Sequence, residues 1–266
     1  VDGMPEGQDA YYIASLAREA WDTSRAPVVH VVTGDERLQT MQMLLAYIDP
    51  LLRVIVLPAW DCLPYDRVSP SSDVTAARIR AFAALAAGFD RPTVVLTSIH
   101  AAVQRLAPLA SFKDVQFVLK RGATLDRDKL FVLLAQQGYR RIGTVREPGE
   151  YAVRGSIIDL YPAGAEYPVR MDGFDDTIES LKSFDPVEQT SIEDVAEIAV
   201  MPLYELALSP TAIASFRSRY RELFGAVQAD DPLFETISQG QRYPGMEHWL
   251  PLFYPQAEDV FMPIPE

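Results

Sequence analysis

The sequence predicts an α/β domain built on a parallel sheet, followed by a second domain with an antiparallel sheet. Three observations predict this. Apolar, β-branched runs alternate with helix-period segments before Phe112. From Gly138 to Val200, short strand-like segments follow one another between turn residues. Of 266 residues, 48% are hydrophobic and 23% charged, the composition of a chain that buries a core.

The elements follow in order. Tyr12, Ile13, Leu16, Ala17 and Ala20 recur at helical spacing within Tyr11 to Trp21. Pro27 opens the continuous apolar run Val28 to Val32, which reads as a buried parallel strand. A helix from Leu38 to Tyr47, a strand from Arg53 to Leu57 and a helix from Asp73 to Ala87, capped by Asp73, come next. Thr93 to Thr97 is the third strand, leading to a helix from Ile99 to Leu106. After Phe112 the pattern changes. Gln116 to Lys120 reads as a strand and Asp126 to Gln136 as a helix. Strands are then expected at Arg141–Val145, Glu150–Val153, Ser156–Tyr161, Tyr167–Met171, Thr177–Phe184 and Val195–Val200, separated by turns such as Pro148-Gly149 and Asp185-Pro186. Pro210 to Phe224 is a helix with proline at its start. The aromatic tail with Phe234, Tyr243, Trp249, Phe253, Tyr254 and Phe261 is expected to return to the first domain.

Charge and cysteine content narrow the function. With 24 Lys+Arg against 37 Asp+Glu the net charge is −13. Nucleic-acid affinity comes largely from neutralised phosphates, so such a chain binds DNA or RNA poorly unless its basic residues are concentrated. A peripheral membrane role is disfavoured on the same ground. Cys62 is the one cysteine, so no intrachain disulfide forms. His30, His100 and His248 are scattered, and no metal is expected. A reducing, cytoplasmic setting follows. The chain starts at Val1 and stops at Met262-Pro-Ile-Pro-Glu266 without an evident terminal element, which suggests a fragment of something longer.

Five features bear on candidate chemistry. Thr33-Gly34-Asp35-Glu36-Arg37-Leu38-Gln39-Thr40 stands where a phosphate-binding loop would, between strand and helix. Such a loop needs several glycines, a lysine for the phosphates and a hydroxyl for magnesium. Only Gly34 is present, and Asp35 and Glu36 put negative charge where phosphate would lie, so this reads as a nucleotide loop that no longer binds. The proline-punctuated loop Leu57 to Asp66 carries Trp60 and Tyr65, as either a stacking platform for bases or an anchored loop. Cys62 has no basic neighbour in sequence and reads as a small buried hydrophobe. Acidic pairs such as Asp175-Asp176 and Glu193-Asp194 read as solvated turns. The most informative feature is charge segregation. Residues 113–160 hold nine Lys+Arg against six acids, and residues 171–200 hold nine acids against Lys182 alone. Arg140, Arg141 and Arg154 flank strands beside Tyr139 and Tyr151, the residue types of protein-interface hot spots.

Two stretches resemble a known family. The first is Leu57-Pro-Ala-Trp-Asp-Cys-Leu-Pro-Tyr-Asp-Arg-Val-Ser-Pro-Ser-Ser-Asp73 with Arg78 in the following helix. The second is Gly149-Glu-Tyr-Ala-Val-Arg-Gly-Ser-Ile-Ile-Asp-Leu-Tyr-Pro162 together with Tyr167 to Pro186. They resemble the N-terminal UvrB-homology module of the bacterial transcription-repair coupling factor family, Mfd. The resemblance implies a helicase-like parallel-sheet domain split by an inserted small α+β domain. Its parts are domain 1a at 1–112, domain 2 at 113–200 and domain 1b at 201–266. It also implies that domain 2 docks the excision-repair protein UvrA, through Arg154, a basic residue before the preceding turn (Arg140 or Arg141) and Ile158. No cofactor and no catalysis are implied for this segment. RNA polymerase and DNA would be engaged by regions outside it, and a C-terminal domain of the longer protein would mask domain 2. The rival readings are a nucleotide-dependent DNA-binding or remodelling domain using Gly34 and the Trp60 loop, and direct DNA binding by the basic edge.

Overall fold

The computed structural model describes residues 7–64, 66–113, 116–174, 176–225 and 231–254. Tyr65, Asp175 and Phe261, invoked above, lie outside them. The protein is mixed α/β, with parallel and antiparallel sheets, and divides into two compact units. One joins Val1–Lys113 to Leu206–Glu266; the other is Asp114–Glu205.

In the first unit the helices are α1 (Gln8–Ser24), α2 (Asp35–Ile48), α3 (Ser72–Ala86) and α4 (Ile99–Ala102), and the strands are β1 (Val28–Val32), β2 (Arg53–Leu57) and β3 (Thr93–Ser98). The strands form a parallel sheet in the order β1-β3-β2. Every residue of β3 is buried, Thr93, Thr97 and Ser98 included, which is why its sequence shows no polar–apolar alternation. Ile13 and Ala17 of α1 and Leu38, Met41 and Leu45 of α2 pack with Val94 and Leu96 in one core. Helix α3 starts one residue earlier than its pattern suggests. Its N-cap is Ser71, whose hydroxyl accepts from the Val74 N–H, while Asp73 lies in the first turn. Helix α4 is a single turn, because the chain leaves it to bury Leu106 and Ala107, both 0% exposed.

The second unit contains β4 (Phe117–Lys120), α5 (Arg127–Gln136), β5 (Arg140–Arg141), β6 (Glu150–Arg154), β7 (Ile157–Leu160), β8 (Val169–Phe174), β9 (Thr177–Phe184), β10 (Ser191–Asp194) and β11 (Glu197–Val200). Six strands form one sheet in the order β10-β9-β8-β7-β6-β5, and β11 pairs with β4 separately. Alternation sorts the sheet's side chains. The row Val153–Ile158–Met171–Leu181 joins the core with Leu130 and Leu134 of α5. The next row, Ala152–Asp159–Arg170, turns the other way. There the Asp159 carboxylate, 1% exposed, pairs with Arg170 at 2.6 Å, and the guanidinium lies 4.6 Å from the Phe184 ring centroid. The expected strand Arg141–Val145 is only two residues long and parallel to β6. Val145 leaves it to join Ala152, Phe184 and Tyr161 in a small cluster. Strand β10 was not foreseen; a bulge in its pairing with β9 and four exposed side chains left no period to read.

After Glu205 the chain forms α6 (Pro210–Phe224), α7 (Pro232–Ser238) and α8 (Leu250–Phe253). Phe216, Tyr220, Phe234 and Phe253 form their aromatic core, with Phe216 and Phe253 stacked 4.8 Å apart. No helix of the described residues is long and apolar enough to cross a membrane.

Candidate partner-docking edge

The basic edge is built outward from Tyr139. Helix α5 ends at Gln136, and two residues on Gly138 takes a φ of +93°, in the left-handed region that glycine tolerates. Tyr139 then turns into the core at 5% exposure. Its hydroxyl donates to the Met201 carbonyl at 2.9 Å and accepts from the Ala163 N–H at 3.1 Å. Burial pushes its pKa up to about 12. With that ring fixed, the next two residues project outward as β5. The Arg140 N–H donates to the Gly149 carbonyl and the Ile142 N–H to the Tyr151 carbonyl, each at 2.9 Å.

The loop from Ile142 to Gly149 is held at three points. One Glu150 carboxylate oxygen accepts from the Arg146 and Glu147 N–H groups, both at 2.9 Å. The Gln189 side-chain amide donates to the Val145 carbonyl at 3.0 Å. Arg154, at the end of β6, donates from Nη2 to the Gly143 carbonyl at 2.9 Å and to Thr144 Oγ1 at 3.3 Å.

The charges of this edge stay available. Arg140 is 69% exposed and reaches the other Glu150 oxygen only at 3.8 Å. Arg141 is exposed and has no carboxylate partner among the described residues. Arg154 is exposed and is held by a carbonyl and a hydroxyl, which leave its charge unneutralised. Arg127, missed in the sequence, joins them: its guanidinium donates to the Gly155 and Ser156 carbonyls at 2.8 and 3.2 Å, beside Arg154. The missed signal was its position at the start of α5, whose approach to the β6–β7 turn is tertiary. Ile158 is corrected. At 1% exposure it belongs to the row facing α5 and supports the sheet from within, so its side chain is not part of the exposed edge. The opposite edge, β10, carries Glu193 and Asp194, both exposed. Five strand spacings put the two edges about 24 Å apart.

The expected nucleotide loop has a different geometry from a phosphate cradle. Strand β1 ends at Val32 and α2 begins at Asp35, so only Thr33 and Gly34 connect them. Gly34 is extended at φ −167°, a conformation open to any residue. Asp35 and Glu36 stand exposed in the first turn.

The Trp60 loop is anchored from beneath. Arg78 is 0% exposed, donates to the Pro58 carbonyl at 2.7 Å and to Gln104 Oε1 at 3.0 Å, and lies 5.3 Å from the Trp60 ring centroid. Trp60 in turn meets His248 edge-on at 5.4 Å. Cys62 therefore has a basic neighbour after all: His248 Nε2 lies 3.8 Å from its Sγ, across 186 residues of sequence. Burial, aided by Asp61 and Glu247, raises the thiol's pKa, which keeps Cys62 protonated and a poor nucleophile.

Comparison with known proteins adds to this geometry. The family model described as the UvrB interaction domain matches residues 117–205. The transcription-repair-coupling factor of Haemophilus influenzae is 35% identical over 214 residues, covering 80% of this chain and 18% of that protein. That of Escherichia coli is 33% identical over 246 residues, covering 91% of this chain and 21% of the relative. That of Bacillus subtilis is 32% identical over 157 residues, 59% of this chain and 13% of the relative. The chain thus spans about a fifth of the length of the first two.

Proposed function

The chain belongs to the transcription-repair-coupling factor family and carries a UvrB interaction domain over residues 117–205, and from that premise we propose that it is a non-catalytic docking module that recruits UvrA in transcription-coupled nucleotide excision repair. The observation that carries this reading is the exposed guanidinium edge of Arg140, Arg141 and Arg154, left without a close carboxylate partner. Arg127 extends the same edge. Arginine forks bind carboxylates through two parallel hydrogen bonds, so an acidic surface on UvrA is both attracted and oriented.

We read the first unit, whose three parallel strands alternate with helices, as a helicase-like scaffold without nucleotide chemistry. Two connecting residues cannot surround a phosphate with N–H groups, and Asp35 and Glu36 oppose an anion there. In the longer protein, RNA polymerase and DNA would be engaged outside this chain, and a C-terminal domain would cover the basic edge until polymerase is bound.

The test is calorimetric titration of UvrA with the chain carrying Arg141→Ala and Arg154→Ala. A desolvated arginine contact contributes about 2–5 kcal/mol, so the affinity should fall at least tenfold while the circular-dichroism spectrum stays unchanged. Unaltered affinity would reject this edge. A thermal shift with magnesium and ATP would instead favour the nucleotide-dependent reading.

A further inference from the structure

Among the described residues, the three-stranded parallel sheet ends on β2 with its outer edge unpaired. The Arg53 N–H donates to the Pro92 carbonyl, toward β3, and this sets the phase of the strand. Backbone groups alternate sides along a strand, so the N–H and C=O of Val54 and Val56 point away from the sheet. Edges are commonly guarded by charges, prolines or bulges. Here Arg53 and Pro58 stand at the two ends, and the residues between them are valine, isoleucine and leucine.

A groove of about 390 Å³ runs beside this edge, lined by the strand, by Gln42 of α2 and by Ala77, Arg80 and Ala84 of α3. The alanines leave room for a backbone to approach. Arg80 is exposed and has no carboxylate partner among the described residues, and no carboxylate lines the groove. Most of the residues that line the groove are apolar, Val54, Val56, Pro58, Ala77 and Ala84 among them. A free anion has no use for that apolar lining, whereas a polypeptide does.

We propose that the outer edge of β2 accepts an extended, acid-bearing strand of a partner protein by β-strand addition. Main-chain bonds to Val54 and Val56 give the affinity, and a carboxylate at Arg80 gives register. This surface is distinct from the arginine edge of the second unit and does not depend on the UvrA reading.

The experiment titrates the chain with a short capped peptide of alternating valine and threonine that carries one glutamate, and follows amide hydrogen exchange. The N–H groups of Val54 and Val56 should slow on binding, while those of Ile55 and Leu57, already bonded toward β3, should not change. Arg80→Glu should weaken binding severalfold. Val54→Pro, which removes an outward donor and no ladder bond, should abolish the protection. The proposal is overturned if Val54 and Val56 exchange as before or if Arg80→Glu leaves the affinity intact. It is equally overturned if free glutamate competes as well as the peptide, or if sedimentation shows this edge closed by a second copy of the chain.

Discussion

Tyr139 ties the docking edge to the core through one hydroxyl that both donates and accepts. Tyr139→Phe leaves the Ala163 N–H and the Met201 carbonyl without it, and is expected to cost about 1–2 kcal/mol in urea denaturation. The same residue gives a pH dependence. Its pKa is about 12 in the folded chain against 10 in the unfolded one. Its stabilising effect is therefore complete below pH 10 and is lost as pH rises toward 12, because the unfolded state releases the proton first. The urea midpoint of the parent should fall between pH 10 and about 12 more steeply than that of Tyr139→Phe. Arg154 is a different case. Its Nη2 holds the two loop acceptors, which leaves Nε and Nη1 to meet a partner carboxylate; a lysine has a single nitrogen for both tasks, so Arg154→Lys should lose most of the UvrA affinity that Arg154→Ala loses.

Helix α3 and the pair of strands β7 and β8 show what local pattern fixes and what it leaves open. Ser71→Ala should destabilise by about 1 kcal/mol, measured by thermal denaturation, and Asp73→Ala by less, since Ser71 holds the capping bond. Asp159→Ala strands the half-buried Arg170 charge over Phe184 and should cost about 3–5 kcal/mol. The parallel strands were legible because each is a continuous β-branched run, and the row containing Ile158 because it alternates. The inward direction of Ile158 was not legible, because period 2 marks two faces without saying which one α5 covers. Arg140, Arg141 and Arg154 could be found because they lie near one another in sequence. Arg127 and Glu150 could not, since their roles are set by carbonyls and N–H groups brought close only by folding. The contact of Cys62 with His248 lies beyond any local window.

The charge of the whole chain is polarised. A net −13 coexists with one guanidinium-rich sheet edge and one carboxylate-rich edge on the same six-stranded sheet. Long-range attraction between the basic edge and an acidic partner is screened within about 8–10 Å at physiological salt. Association with UvrA should therefore slow as salt rises, while dissociation changes less, a split that stopped-flow kinetics reads directly. Helix α2 carries a separate lesson. Its positive pole is met by carboxylates of its own, at Asp35 and Glu36. The helix thus travels with its counterion built in. Converting both acids to lysine would leave the pole facing like charge and loosen the first turn.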